Sequence, residues 1–271
     1  MGKAMKTISE EECKKIGLKI LERVHLFCVQ NKLRYVLFYG TLLGAIRHNG
    51  YIPWDDDIDI AMPREDYEKM IESFGDDNYG IMTYKVKGYH FPWAKVYDKQ
   101  TIKIEPTRVP RGFEIGFNID IFPLDFVISE IEYVSLKKRE NNVISKWKKA
   151  ILPYKITSFK ILVRTVLWLP LYFNLRRYAQ KIDLFFLNHS KANKEENNLN
   201  YLAANAVFWR KPNYLFGNDL FENLQLHIFE GREFYIPKNY DAVLKTCYGN
   251  YLELPPKDKQ VSHHNYRCFY K

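Results

Sequence analysis

Cysteine is scarce and unclustered. The four in 271 residues, Cys13, Cys28, Cys247 and Cys268, form no Cys-x-x-Cys pair. Two of them stand in apolar helical or strand-like patterns, so neither a zinc site nor a disulfide framework is expected, and a reducing cytosolic compartment fits. The N-terminal MGKAMKTISEEE lacks the apolar run of a signal peptide. In YKITSFKILVRTVLWLPLYFNLRRYAQ, Lys160 and Arg164 interrupt the apolar run and Pro170 breaks it. A bilayer-spanning helix needs about 20 uninterrupted apolar residues, so none is expected here. No internal repeat is present, which excludes a repeat architecture. Acidic residues nearly vanish between Lys137 and Lys181, where twelve Lys or Arg face one acid, Glu140. That segment alone carries +11 against +9 for the whole chain, so the remainder carries −2. Basicity confined to one region speaks against a general nucleic-acid binder, and no nucleic-acid partner is expected.

What is present is enough for a core. The chain is 46% hydrophobic and 16% aromatic, so disorder is expected only locally. SEEECKKIGLKILERVHLFCVQ opens with a capping box, Ser9 to Glu12, and places Cys13, Ile16, Ile20, Val24 and Phe27 at helical spacing. RYVLFYG reads as a short buried strand ending at Gly40. DIDIAM alternates as a strand and stops at Pro63, which suits the first turn of the next helix, with an apolar face of Tyr67, Met70, Ile71 and Phe74. YGIMTYKVKGY, AKVYD, TIKIEP and FNIDIF read as strands or hairpin arms. The order predicts an α+β fold with a mixed sheet. After about residue 130 the pattern turns helical. KANKEENNLN (191–200) reads as a loop, and the last stretch as a short strand, a helix from about Asn239 and a Pro-ended tail packing back on the sheet. Three parts are expected: a catalytic core over 1–130, a basic aromatic helical region over 131–200 and a C-terminal part over 201–271.

The sharpest feature is GTLLGAIRHNGYIPWDDDIDIAM, with Asp55, Asp56, Asp57 and Asp59 in five positions. On a strand Asp57 and Asp59 share a face while Ile58 and Ile60 turn to the core. At about 6–7 Å two carboxylates repel by roughly 3 kcal/mol at an effective dielectric near 20. A divalent cation removes that repulsion, and hard cations such as magnesium are held by one or two carboxylates plus phosphate oxygens. A solvated acidic turn is the bland alternative, and the Ile alternation speaks against it. An EF-hand loop is excluded because Ile60 stands where that loop needs Gly and Pro63 follows. Asp-x-Asp also serves many glycosyltransferases, and the three residues alone do not separate these readings. The context does. Gly40 and Thr41 after a strand let backbone amides approach a phosphate, and Asp120 stands isolated between Ile119 and Ile121 in GFNIDIFPLD. Strand–Gly–Thr, Asp-x-Asp, then an isolated strand Asp resembles the DNA polymerase beta-type nucleotidyltransferases.

A closer resemblance, to the LicD/fukutin family of phosphotransferases, rests on GTLLGAIRHNGYIPWDDDIDIAMPREDYEKM, AKVYDKQT, NIDIFPLD and FEGREFYIPKNYDAVLKTCYGNYLELPP. These cover roughly half of the chain. The resemblance implies a nucleotidyltransferase-like mixed sheet with flanking helices and a largely helical C-terminal half. It implies transfer of phosphocholine from CDP-choline to a hydroxyl of a cell-surface glycan precursor, a teichoic acid or lipopolysaccharide sugar, with release of CMP; animal relatives use CDP-ribitol. Asp57, Asp59 and Asp120 are then the catalytic carboxylates and hold Mg2+ or Mn2+, Asp120 also taking the hydroxyl proton. Gly40, Thr41 and Arg47 line the donor phosphates, Asp55 shapes the loop or meets the acceptor, and Asp56 is the dispensable member.

Aromatic faces hold a quaternary ammonium. Trp54, Tyr89, Phe91 and Trp93 are the nearby candidates, against the ordinary alternative of core residues. Lys95 is a candidate for the donor phosphates or a solvated strand face. His264, beside His263, is a further substrate-binding candidate, whereas His25 reads as structural. Cations interleaved with Trp168, Tyr172 and Phe173 suit a helix in the membrane interface, or else a buried helix covered by long basic side chains. The expectation is a cytoplasmic enzyme peripherally associated with the inner face of the plasma membrane, meeting a lipid-linked glycan acceptor there. Rival readings are another CDP-polyol donor, an Asp-x-Asp glycosyltransferase, which assigns Asp120 no role, and an inactive membrane-associated binding protein.

Overall fold

A computed structural model describes residues 6–105, 114–152, 156–195, 201–204, 215–262 and 266–271, the side chains of Lys137 and Glu195 excepted. Strand β1 (Thr7–Ile8) leads into α1 (Glu10–Gln30), where the Ser9 hydroxyl accepts the Glu12 backbone N–H at 3.2 Å as the capping box predicts. All five residues placed on its apolar face are buried. Strand β2 (Val36–Leu37) runs into α2 (Tyr39–His48), and β3 (Asp59–Pro63) into α3 (Arg64–Ser73). Strands β4 (Tyr79–Met82), β5 (Ala94–Asp98), β6 (Thr101–Ile104) and β7 (Asn118–Val127) follow. Three helices come next, α4 (Glu130–Ala150), α5 (Phe159–Tyr172) and α6 (Leu175–Glu195). The chain continues through β8 (Tyr201–Ala204), β9 (Leu215–Gly217), the hairpin β10 (Leu224–Phe229) and β11 (Arg232–Pro237), α7 (Tyr240–Tyr248) and β12 (Arg267–Tyr270).

The architecture is α+β. The main sheet runs β2-β3-β7-β5-β4, with β8 on β7 and β9 beyond it. It is mixed, because β3 and β7 are parallel while the other pairs are antiparallel. Long β7 changes partner midway. Its pairing with β5 ends at Ile121 and its pairing with β8 begins at Leu124. Pro123, which has no N–H to give a ladder, falls within that changeover. Strand β12 joins β1 and β6 in a second, small sheet. Helix α1 packs on β5 and β7, α3 on β3 and β7, and α6 on β7 and α4.

Three expectations change. The strand expected to reach Gly40 ends at Leu37, because Tyr39 takes a φ of 42° and the Leu42 N–H bonds back to the Phe38 carbonyl, starting a helix. Strand β3 starts at Asp59, so Asp57 precedes the ladder. The expected loop at 191–200 is helical through Glu195, with 196–200 outside the described residues. Tertiary contact overrides the polar composition there: Asn193 is buried and donates to the Phe126 carbonyl at 3.1 Å.

His90 lies buried between β4 and β5, and the Trp147 indole N–H reaches its carbonyl at 2.7 Å. Burial pulls its imidazole from 6.5 down to about 4. An unfolded chain therefore binds a proton that the folded one refuses throughout that window. Stability is expected to fall as pH drops through it, by about 3 kcal/mol in all. Chemical denaturation across this range checks the slope, which His90→Gln should flatten.

Candidate active site

The register of three strands builds the centre. On parallel β3 and β7 Asp59 stands opposite Asp120, and on antiparallel β5 Lys95 stands opposite Asp120 from the other side. One row across the sheet thus reads carboxylate, carboxylate, ammonium. Lys95 is buried; its Nζ donates to Asp120 Oδ1 at 2.5 Å and to Asn118 Oδ1 at 3.1 Å. Burial alone would lower the Lys95 ammonium, but Asp120, Glu105 and Asp59 outweigh it and raise it. The Trp93 indole N–H donates to the other Asp120 oxygen at 3.0 Å. Asp120 is therefore fixed in orientation from two sides.

Asp59 is held through its backbone. Its N–H donates to the Thr41 hydroxyl at 2.8 Å, and its carbonyl accepts the Phe38 N–H at 2.9 Å. Burial first, then the charges of Asp57, Asp120 and Asp55, hold its carboxyl well above the usual carboxylate range.

The aspartate loop is fastened from several directions. Glu230, at the tip of the β10–β11 hairpin, accepts the Tyr51 N–H at 3.0 Å and gives its own N–H to the Asn49 carbonyl. The Asp120 N–H donates to the Ile58 carbonyl at 2.9 Å. Asp55, Asp56 and Asp57 each bring a carboxylate oxygen within 4.8 Å of the others. Asp56 is nevertheless buried, accepting the Ser262 hydroxyl at 3.3 Å, and the Tyr266 hydroxyl reaches its carbonyl at 3.5 Å. It anchors the C-terminal segment, a role at odds with dispensability. At Gly40 the backbone approaches closely: a Cβ there would sit 2.6 Å from Asp55 Oδ2. Gly40→Ala is expected to push Asp55 aside and cut activity at least about tenfold, with a small change in melting temperature, as a misplaced positioning group costs rate before stability.

These groups open onto a cavity of about 1030 Å3. Gly40, Arg47, Trp54, Asp55, Asp57, Asp59, Trp93, Lys95 and Asp120 all line it, as does Phe91. Thr41 does not; it is buried behind the carboxylates with its hydroxyl on the Asp59 N–H. Tyr89 is core, its hydroxyl on the Trp93 carbonyl at 2.6 Å. His25 contacts the Tyr35 hydroxyl at 2.6 Å. His263 and His264 lie outside the described residues. Arg47 donates to the carbonyls of Tyr251 at 2.8 Å and Glu253 at 3.4 Å, clamping the tail that forms the opposite wall.

Sequence reasoning missed Asn118, Lys103, Glu105 and Tyr266, which also line the cavity. Asn118 had a signal, since it stands two residues before Asp120 and shares its strand face. Lys103 had none beyond ordinary strand alternation; its Nζ lies 4.6 Å from the Tyr266 ring centroid and 3.6 Å from Glu105 Oε1.

The donor set suits a hard divalent cation. Burial and three neighbouring carboxylates oppose the charged form of Asp59, and a cation among oxygen ligands removes that opposition. A helix start and two lysines beside it offer partners for phosphate.

Comparison with known proteins agrees with this geometry. Over 269 residues the chain is 29% identical to the lipopolysaccharide cholinephosphotransferase LicD of Haemophilus influenzae, covering 96% of this chain and 97% of that one. It is 34% identical over 166 residues to an uncharacterised protein of Rickettsia typhi, 53% of this chain and 50% of the other. With an uncharacterised protein of Rickettsia prowazekii it shares 38% identity over 69 residues, 22% and 26% of the two chains. Residues 32–162 match the family described as LicD/FKTN/FKRP, nucleotidyltransferase domain, a span that holds every carboxylate of the row and the loop. Residues 32–162 thus carry a nucleotidyltransferase domain of the LicD/FKTN/FKRP type, and nearly the whole chain is similar to the LicD relative.

Proposed function

We propose that the protein is a transferase that moves phosphocholine from CDP-choline to a hydroxyl of a cell-surface glycan precursor and releases CMP. The acceptor class closest to the named relative is a lipopolysaccharide sugar; a teichoic acid sugar has the same chemistry. The observation that carries this reading is the Asp59–Asp120–Lys95 row facing one cavity with Asp55, Asp57 and the start of α2.

Gly40 lets a diphosphate come close to the N-terminal turn of α2, whose N–H groups point toward the cavity end of the helix. Lys95 and Lys103 balance phosphate charge at the cavity wall. Trp54, Phe91 and Trp93 present aromatic surface for the quaternary ammonium, with carboxylates nearby. The acceptor oxygen attacks the phosphorus that bears choline, the bond to the CMP oxygen breaks, and Asp120, aligned by Trp93 and Lys95, takes the hydroxyl proton. Asp57, Asp59 and Asp120 would hold Mg2+ or Mn2+, which when bound supplies Lewis-acid polarisation of the phosphoryl oxygens. The site works on the cytoplasmic side, in peripheral contact with the inner face of the plasma membrane, where a lipid-linked acceptor is presented.

A donor panel tests the reading. CMP should form from CDP-choline, with magnesium and a lipid-linked glycan fraction, well above the rates from CDP-ribitol or CDP-glycerol. Faster CMP formation from either polyol donor would replace choline as the group moved. Sugar transfer from a nucleotide sugar that survives Asp120→Asn would favour the glycosyltransferase reading instead.

A further inference from the structure

Helix α5 carries an unusual face. At 100° per residue, Phe159, Leu162, Val163, Val166, Leu167 and Phe173 form one stripe, and all six are exposed, Phe159 at 79%, Leu167 at 68% and Phe173 at 77%. The opposite side is the packed one: Thr165 is buried, Ile161, Trp168 and Leu171 are half-buried, and the helix rests on α4. The Ser158 hydroxyl caps its start by accepting the Ile161 N–H at 3.3 Å. Among the described residues no helix is long and apolar enough to cross a membrane. Exposed cations accompany the stripe, Lys160 and Arg164 on α5 itself and Arg177 at the start of α6, whereas the neighbouring Arg176 donates to the Tyr84 carbonyl at 2.6 Å. They belong to the segment that carries +11.

We infer that α5 is an interfacial helix that lays this stripe into the headgroup boundary of an anionic bilayer, with Lys160, Arg164 and Arg177 on lipid phosphates. An apolar stripe bordered by cations on a short helix has the chemistry of an in-plane anchor. Charge decides between this occupant and a second copy of the chain, because pairing two such faces would bring two strongly basic segments together. Helix α4, on which α5 rests, also touches the catalytic wall: the Trp147 and Trp93 rings lie 6.3 Å apart, and Trp93 holds Asp120. Docking through α5 therefore sets the cavity close to the surface where a lipid-linked acceptor resides. The inference deepens the proposed reading through that acceptor, but its test needs no turnover.

The test is flotation of the full chain with vesicles of phosphatidylglycerol and phosphatidylethanolamine, or of phosphatidylcholine alone. The wild type should float with the anionic vesicles and bind neutral ones at least about tenfold more weakly. Val166→Asp combined with Leu167→Asp should weaken binding at least about thirtyfold. Lys160→Glu with Arg164→Glu should remove the preference for anionic lipid while circular dichroism stays unchanged. Wild type that stays unbound with anionic vesicles, or a double aspartate variant that still floats, overturns the inference. So does a dimer in sedimentation that the same variant dissolves, since the face would then belong to a second copy. Phosphocholine transfer to detergent-solubilised acceptor, followed as CMP release, is read in parallel, so a failure of membrane binding and a failure of the transferase reading appear separately.

Discussion

Asp59→Asn is expected to lower transfer about a thousandfold while leaving the melting temperature of the metal-free protein equal or higher. On the proposed reading Asp59 would help hold the donor phosphates and their cation, and such groups typically carry several kcal/mol of transition-state stabilisation. The stability half follows from position. Asp59 is fixed through its backbone N–H on Thr41 and its carbonyl on Phe38, which asparagine keeps. Its charge, by contrast, is opposed by burial and by Asp57, Asp120 and Asp55. A neutral isostere relieves that opposition. Magnesium should raise the melting temperature of the wild type and leave that of the variant nearly unmoved. Thermal melts with and without magnesium, beside a rate assay, check both halves. A variant that melts several degrees lower would make Asp59 a structural residue.

Arg64→Met should be the most destabilising substitution away from the cavity. Arg64 is 4% exposed and forks onto Asp125 at 2.7 and 2.6 Å, then onto Asp183 at 2.8 Å and Glu68 at 3.2 Å. This cluster ties the first turn of α3 to β7 and α6. Removing the guanidinium leaves two buried carboxylates without their cation, a loss of about 3–5 kcal/mol. For a chain of this size that lowers the melting temperature by about 10 °C. Replacing Arg64, Asp125 and Asp183 together by Met, Leu and Leu should recover most of it, because a packed apolar set rivals a buried ion cluster. A single Arg64→Met variant that melts within about 2 °C of wild type would deny the cluster its anchoring role.

Part of this was legible in the sequence. The capped α1 declared itself through Ser9, Glu12 and its apolar spacing. Asp120 stood out as a polar residue in an apolar strand, and the aspartate run as too acidic for its half-buried surroundings. What joins them was not legible. The Asp59–Asp120 register is a parallel pairing between strands far apart in the chain, with two further strands and a second sheet member between them. Local pattern contains no record of such a pairing. Thr41 was placed at the phosphates because Gly–Thr after a strand invites it; the turn into α2 at Tyr39 puts its hydroxyl behind Asp59 instead. Nothing in the local sequence around Arg64 or Asp125 says that the two meet; burial and the tertiary fold make them a pair. The tail that Arg47 clamps came from family resemblance, since nothing in GNYLELPP itself says what it covers.

The central claim is that this carboxylate row performs phosphocholine transfer. Its most direct test follows radiolabelled choline from CDP-choline into a lipid-linked glycan fraction that accepts phosphocholine from the Haemophilus relative. The account predicts label in the glycan with wild type and magnesium, and near-complete loss with Asp120→Asn. Undiminished incorporation by Asp120→Asn, or no incorporation by wild type into that competent fraction, would contradict it.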